Sequence, residues 1–291
     1  MPLGERGLRA ITSRVNGVEI TFFRSMKEAA MSNMYQAPAI LVGVDGSRAA
    51  IQAALWAIDE AVSRDIPLRL VYVIDPHDAS GARAIDTRFA VARAALADAR
   101  RAVDAVGEPV KVETDILWGR TVSKLLEESR SAVMICIGRI GLNHARHGGP
   151  AVAACLIRSA LCPVAVIQGS TAAQVSGVVV EADNGKVLRH AFDEARLRAT
   201  PLRALSVAQG SDAGDTRPGK PSVQAHLDRR LAPWMRLYPD VQAVPAIVAG
   251  GVDRYLRAQH EAAQLVVADS YRAEELCHAG HSVLAIRCGN L

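Results

Sequence analysis

Residues 39–47 read Ala39-Ile40-Leu41-Val42-Gly43-Val44-Asp45-Gly46-Ser47. A short aliphatic run closed by Asp-Gly-Ser is the pattern of a strand buried on both faces that ends in a turn. Ser47 stands where it can cap a helix over residues 48–64, in which Ile51, Ala54, Leu55 and Ile58 recur at helical spacing. A buried strand that runs straight into a helix is half of a parallel β–α unit.

Working outward, the unit repeats. Residues 68–74 form a second apolar run that stops at Asp75-Pro76, and a long helix follows over about residues 85–106. Residues 110–117 alternate as a third strand, and Gly119 turns the chain into a helix over 121–129. Residues 132–137 are a fourth strand, followed by a glycine-containing loop, a helix over 151–160 and a fifth strand over 163–167. Strands alternating with helices imply an α/β fold with a doubly wound, parallel, Rossmann-like sheet. Near-continuous apolar strands agree, because both faces of such a sheet are covered.

The same order then starts again. Gly177-Val178-Val179-Val180-Glu181-Ala182-Asp183 repeats the first strand and its terminal aspartate, and helix 186–199 and strand 201–207 follow. A polar Gly/Pro stretch over 210–221 is a loop. A helix over 223–238 comes next, with Pro233 expected to kink it. Strand 241–248, Gly250-Gly251, helix 252–261, strand 264–268 and strand 283–287 complete the second series. After Val267-Ala268-Asp269 the chain is expected to be too short for a loop and a full-length helix before its last strand. An internal duplication is the natural reading. It gives domains at 37–168 and 177–291, a linker between them, and an extension over 1–36 without regular structure.

Composition narrows the class. The chain has 291 residues, a formal charge of +4, 50% hydrophobic and 22% charged residues. That is an ordinary globular balance, with no charge run that argues for nucleic acid or a membrane surface. Aromatics make up 4%, so the cores rest on Val, Leu, Ile and Ala. No stretch approaches the roughly 18 apolar residues needed to span a bilayer. The five cysteines, Cys136, Cys155, Cys162, Cys277 and Cys288, form no Cys-x-x-Cys pair and sit in apolar surroundings. They read as small buried hydrophobes in a reducing, cytoplasmic setting. In residues 1–36 the basic Arg6, Arg9, Arg14, Arg24 and Lys27 are offset by Glu5, Glu19 and Glu28, which weakens a presequence reading.

Doubly wound sheets bind ligands at the carboxyl ends of strands where the winding reverses. If the first and fourth strands flank that point, Asp45 faces the loop that starts at Gly138. Asp45 offers acceptors for ribose hydroxyls, and Gly138 and Gly141 allow a close backbone approach. The loop also carries Arg139, His144, Arg146 and His147, suited to an anion. Each feature has a plainer explanation: a strand-end aspartate as a turn or cap residue, a glycine after a strand, a solvated loop. His144 and His147 lack a third ligand, so no metal is expected.

Val42-Gly43-Val44-Asp45-Gly46-Ser47, Leu70-Val71-Tyr72-Val73, Ile135-Cys136-Ile137-Gly138 and Cys162-Pro163-Val164-Ala165-Val166 together resemble the landmarks of the universal stress protein family. The resemblance covers about residues 39–167 and, more weakly, 176–287. It implies two adenine nucleotide alpha hydrolase-like domains of doubly wound parallel sheet, the second degenerate. It implies a non-enzymatic sensor or binding module, with ATP, AMP or cyclic AMP as ligand and Asp45, Val73, Gly138 and Gly141 holding it. It also implies pairing through the fifth strand, as an intramolecular pseudo-dimer or in self-association. ATP-binding members follow Gly-x-x-Gly, nine residues on, with Gly and Ser or Thr. Here Gly138-Arg139-Ile140-Gly141 matches the first half, but Ala151-Val152 stands where Gly-Ser belongs. An interaction protein with both sites lost is the alternative. No Gly-x-Ser-x-Gly elbow or Walker loop argues for an enzyme.

Overall fold

The computed structural model describes residues 12–15, 18–21, 37–76, 82–141, 152–169, 175–208, 222–258 and 262–288. It divides into two compact units, Met1–Ala37 and Pro38–Leu291. In the first, β1 (Thr12–Val15) and β2 (Val18–Thr21) pair antiparallel, Val15 opposite Val18. This hairpin lies in the segment expected to lack regular structure. The overlooked signal is Asn16-Gly17 between two runs containing β-branched residues, a dipeptide that in sequence points to a hairpin.

The second unit follows the strand–helix alternation. Its first series is β3 (Ile40–Gly43), α1 (Arg48–Arg64), β4 (Leu68–Ile74), α2 (Ala82–Asp104), β5 (Val112–Trp118), α3 (Thr121–Glu128), β6 (Met134–Gly138), α4 (Val152–Ser159) and β7 (Val164–Ile167). The second is β8 (Val175–Glu181), α5 (Gly185–Leu197), β9 (Leu202–Ala208), α6 (Val223–Leu237), β10 (Ala243–Ala249), α7 (Gly251–Ala258), β11 (Ala262–Asp269), α8 (Ser270–His278) and β12 (Val283–Ile286).

Ten strands form one sheet in the order β10-β9-β8-β11-β12-β7-β6-β3-β4-β5. Each series contributes the same internal order, and neighbours within a series are parallel. The two series meet at β7 and β12, which run antiparallel with Leu284 opposite Ala165. All four residues of β7 and all four of β12 are buried. Left unpaired, either would be an apolar edge open to other chains. The joint is reinforced by polar contacts: the Gln168 amide donates to Ser282 Oγ at 3.0 Å, and Ser282 Oγ donates to the Gln168 carbonyl at 3.2 Å.

Alternation along the strands builds two cores. Ile40, Val42, Leu68, Leu70, Cys136, Val178, Val180, Val267 and Leu284 face one side, under α1, α2, α5 and α6. Leu41, Val71, Ile135, Ile137, Val164, Val166, Val179 and Val266 face the other, under α3, α4, α7 and α8. Three of the scarce aromatics meet where α5 and α6 pack. Phe192 lies 6.1 Å from Trp234 and 5.3 Å from Tyr238 between ring centroids, and Tyr238 donates to Asp193 at 2.7 Å. Helix α6 continues through Pro233 and keeps its apolar face, Leu227 and Leu231, on the core.

One expectation is overturned. The second series was expected to have no room for a full helix after Asp269, yet α8 has nine residues against eight in α4. The chain economises on the loop instead. Asp269 ends β11 and caps α8 itself, accepting from the Arg272 amide at 2.9 Å.

Candidate functional site

Strand β3 pairs with β6, Gly43 opposite Ile137. From β3 the chain enters α1 on one face of the sheet, and the helix after β6, α4, packs on the other. This is the reversal of winding at which a crevice opens. Asp45 sits at its mouth, two residues beyond β3. Its Oδ1 accepts from the Ser47 amide at 2.9 Å, and Ser47 Oγ accepts from the Ala50 amide at 3.1 Å, capping α1. Asp45 thus shapes the turn that leads into α1.

Gly138 and Gly141 meet this turn from the β6 side, in different ways. A Cβ on Gly138 would come within 2.6 Å of Ala49 Cβ and 2.7 Å of the Ala49 carbonyl oxygen. Gly138 is therefore needed to seat the first turn of α1 against β6. A Cβ on Gly141 would collide with Asp45 Oδ2. Gly141 lets the Asp45 carboxylate lie against bare backbone. Val73 stands one strand over, on β4 opposite Leu117, half-buried against the α3–α4 core. The structure therefore brings Asp45, Gly138 and Gly141 together, with Val73 at the end of the neighbouring strand.

Arg139 is turned away from the role of a free anion grip. Its amide donates to the Ile167 carbonyl at 3.0 Å and its Nε to Gln168 Oε1, tying the loop to the end of β7. His144, Arg146 and His147 lie outside the described residues. Among the described residues no group of three or more His, Cys, Asp or Glu is placed to hold a metal.

The second series has its own cleft at the matching place, between the ends of β8 and β11. It has a volume of about 80 Å³ and is lined by Glu181, Asp183, Asn184, Val187, Ala268, Asp269 and Arg272. Asp269 occupies the end of β11 where β6 ends in Gly138. Arg272 approaches Glu181 at 3.4 Å, and Arg230 approaches Asp183 at 3.5 Å while donating to the Ala182 carbonyl at 2.7 Å. Burial pushes the Glu181 carboxyl up, with Arg272 opposing. Three carboxylates against one lining arginine disfavour a phosphate. Sequence reasoning missed Arg230 and Arg272, which no motif marks.

Comparison with known proteins places the chain. Residues 37–168 match the universal stress protein family. A universal stress protein of Mycobacterium tuberculosis is 55% identical over 269 residues, covering 90% of this chain and 100% of the relative. Another from the same organism is 42% identical over 270 residues, covering 87% and 95%. The crystal structure of a universal stress protein from Archaeoglobus fulgidus superposes with a TM-score of 0.63 at 15% identity, covering 88% of this chain and 98% of that one, which supports the fold alone. With more than half of its residues shared across nearly its whole length with a curated relative, the chain belongs to the universal stress protein family.

Proposed function

We propose that the chain is a non-enzymatic ligand sensor built from two family domains, residues 37–168 and 177–291, joined as an intramolecular pseudo-dimer through β7 and β12. Its ligand is an adenine nucleotide, held in the crevice of the first domain by Asp45, Gly138, Gly141 and Val73. The observation that carries this reading is the contact of the Asp45 carboxylate with Gly141, where no side chain fits. It puts a carboxylate, a group suited to accept from ribose hydroxyls, beside bare backbone at a winding reversal. Recognition then rests on the nucleoside. The Gly-Ser that would hold terminal phosphates is replaced by Ala151-Val152, so AMP and cyclic AMP bind nearly as well as ATP. The second domain, with its acid-lined cleft, takes no nucleotide. The five free cysteines suit a reducing, cytoplasmic compartment.

The test is calorimetric titration of the full chain with ATP, AMP and cyclic AMP, repeated for Asp45→Ala. Removing hydrogen bonds to a charged acceptor weakens binding by about 1–3 kcal/mol, and all three ligands lose alike. A strong preference for ATP over AMP, indifferent to the substitution, refutes this assignment. Absence of binding by all three supports a second reading, an interaction protein with both sites lost, which the replaced Gly-Ser favours.

A further inference from the structure

Helices α1 and α5 are the matching first helices of the two series, and their ends share a motif. Ala57-Ile58-Asp59-Glu60-Ala61-Val62-Ser63-Arg64 corresponds to Ala191-Phe192-Asp193-Glu194-Ala195-Arg196-Leu197-Arg198, and Pro67-Leu68-Arg69 to Pro201-Leu202-Arg203. Asp65 and Ala199, which follow the arginines, both adopt left-handed conformations, at φ 51° and 48°. The repeat places a glutamate and an arginine one helical turn apart in each helix, and the packing of α1 near α5 brings the two pairs together.

The result is a buried cluster of four charged side chains. Arg64 Nη1 lies 2.6 Å from Glu60 Oε2. Arg198 Nη2 lies 2.8 Å from Glu60 Oε1, and its Nη1 contacts Glu194 Oε2. Glu60 is 0% exposed, Glu194 1% and the Arg198 side chain 3%, while Arg64 keeps 30%. The Arg198 guanidinium also stacks 4.3 Å from the Trp56 ring centre. Two carboxylates thus share one fully buried arginine, and the second, Arg64, bonds Glu60 and Ser63.

We propose that Glu60 and Glu194 form a proton-held clasp between the two halves of the chain, keeping α1 against α5 while the pair shares a proton and loosening when that proton leaves. Two carboxylates in one desolvated site cannot both ionise cheaply, since each charge disfavours the other. The groups facing Glu194 are few. From α1 come Glu60 and Arg64, and from α5 itself Arg198. His190, one turn earlier, faces the same α1 groups, and β6 presents the Cys136 thiol. On α6, Tyr238 is engaged by Asp193. The strands beneath α5 contribute Val178, Val180, Leu265, Val267, Leu284 and Ile286, all apolar.

Burial first, and the Glu60 charge next, push the Glu194 carboxyl up to about 8, against the pull of Arg198. The folded state therefore binds this proton more tightly than the unfolded chain does. The stability it confers is full below the ordinary carboxylate value of 4.5, falls as pH rises, and levels off above about 8. Burial pushes His190 down from 6.5, so its effect has the opposite slope and is confined to the acid side of that value. Tyr238 is pushed up to about 12, and Cys136 is raised well above 9.0, so neither intrudes. Among these described groups, it is the clasp that gives up its proton between pH 6.5 and 8.

The experiment is urea unfolding of the full chain across pH 6.5–8.5, for wild type and for Glu194→Gln, an isostere of the protonated acid. In wild type the folding equilibrium constant falls roughly fifteenfold between pH 6.5 and 8, the slope flattening as pH 8 is reached, and in the variant it stays level. Equal slopes in both proteins, or a level wild type, overturn the proposal. A measurement on unsubstituted protein guards against a variant that fails to fold. With 13C-carboxyl-labelled glutamate, one carbon resonance titrates above pH 7 in the clasp. If every glutamate titrates below pH 6, there is no such proton and the clasp is refuted.

Discussion

Replacing Gly138 with alanine separates what the crevice needs for folding from what it needs for binding. The added methyl would sit 2.6 Å from Ala49 Cβ and 2.7 Å from the Ala49 carbonyl oxygen. Normal carbon contacts are about 3.5–4.0 Å, so something must move by about 1 Å. The obstacle is the backbone of the first turn of α1, held by the Ser47 cap on one side and the buried Ala50, Ala53 and Ala54 on the other. It cannot swing aside as the end of a long side chain would. Forced overpacking of this kind costs about 1–3 kcal/mol, which for a unit of this size lowers the melting temperature by about 2–4 °C per kcal/mol. Gly141→Ala is the control. Its methyl meets the Asp45 carboxylate, a group that can rotate, so stability changes by less than about 1 kcal/mol. Asp45, however, is driven from its place and nucleotide affinity drops. The assay is thermal unfolding by circular dichroism, paired with nucleotide titration. If Gly138→Ala leaves the melting temperature unchanged, the close packing of α1 on β6 is wrong. If Gly141→Ala lowers it as much as Gly138→Ala does, the distinction between the two glycines fails.

Other outcomes follow from the same contacts. Arg198→Met strips the shared cation from Glu60 and Glu194 and destabilises the chain by about 3–5 kcal/mol at neutral pH, read by urea unfolding; a loss under 1 kcal/mol would contradict the buried cluster. Ser47→Ala removes the α1 cap and costs about 0.5–2 kcal/mol, also by urea unfolding, whereas Ser47→Asp recovers most of it. Native protein offers Ellman's reagent at most its half-buried thiols, Cys155 and Cys288, before slow opening, because Cys136, Cys162 and Cys277 are buried; burial also pushes the Cys162 thiol up to about 12, which keeps it protonated.

The alternation of strands and helices, the buried strands and the position of Asp45 were legible because each rests on local signals: apolar runs, a cap and turn residues. The facing of Asp45 and Gly141 was legible because strand order in a doubly wound sheet is constrained. The helix after Asp269 was not, since a capping aspartate lets a helix begin without a loop, and counting residues overlooks that economy. The hairpin before residue 22 was passed over despite its Asn16-Gly17. The Glu60–Glu194 cluster escaped for another reason. A glutamate followed four residues later by arginine reads as a solvated pair on a helix surface. Only the packing of α1 near α5 removes it from water. The signal that would have betrayed it is the recurrence of Ala-x-Asp-Glu-Ala-x-x-Arg at the same place in both series.

The two halves divide their demands unequally. What the sheet requires of the second series is concentrated at β12 and at the inward faces of α5 and α8. There Val283, Leu284, Ala285 and Ile286 close the edge of β7, Glu194 and Arg198 meet Glu60, and Arg158 lies 3.3 Å from Glu274. None of these positions lies in the cleft between β8 and β11. Asp269, at the end of β11, borders that cleft and also caps α8. In the first series Gly138 holds the matching place, seating α1 against β6 beside the Asp45 turn. A substitution there strikes the seating of α1 and the turn at Asp45 together. The asymmetry therefore lies in what ends the fourth strand of each series: a glycine that seats α1 in the first, and an aspartate that caps the next helix in the second.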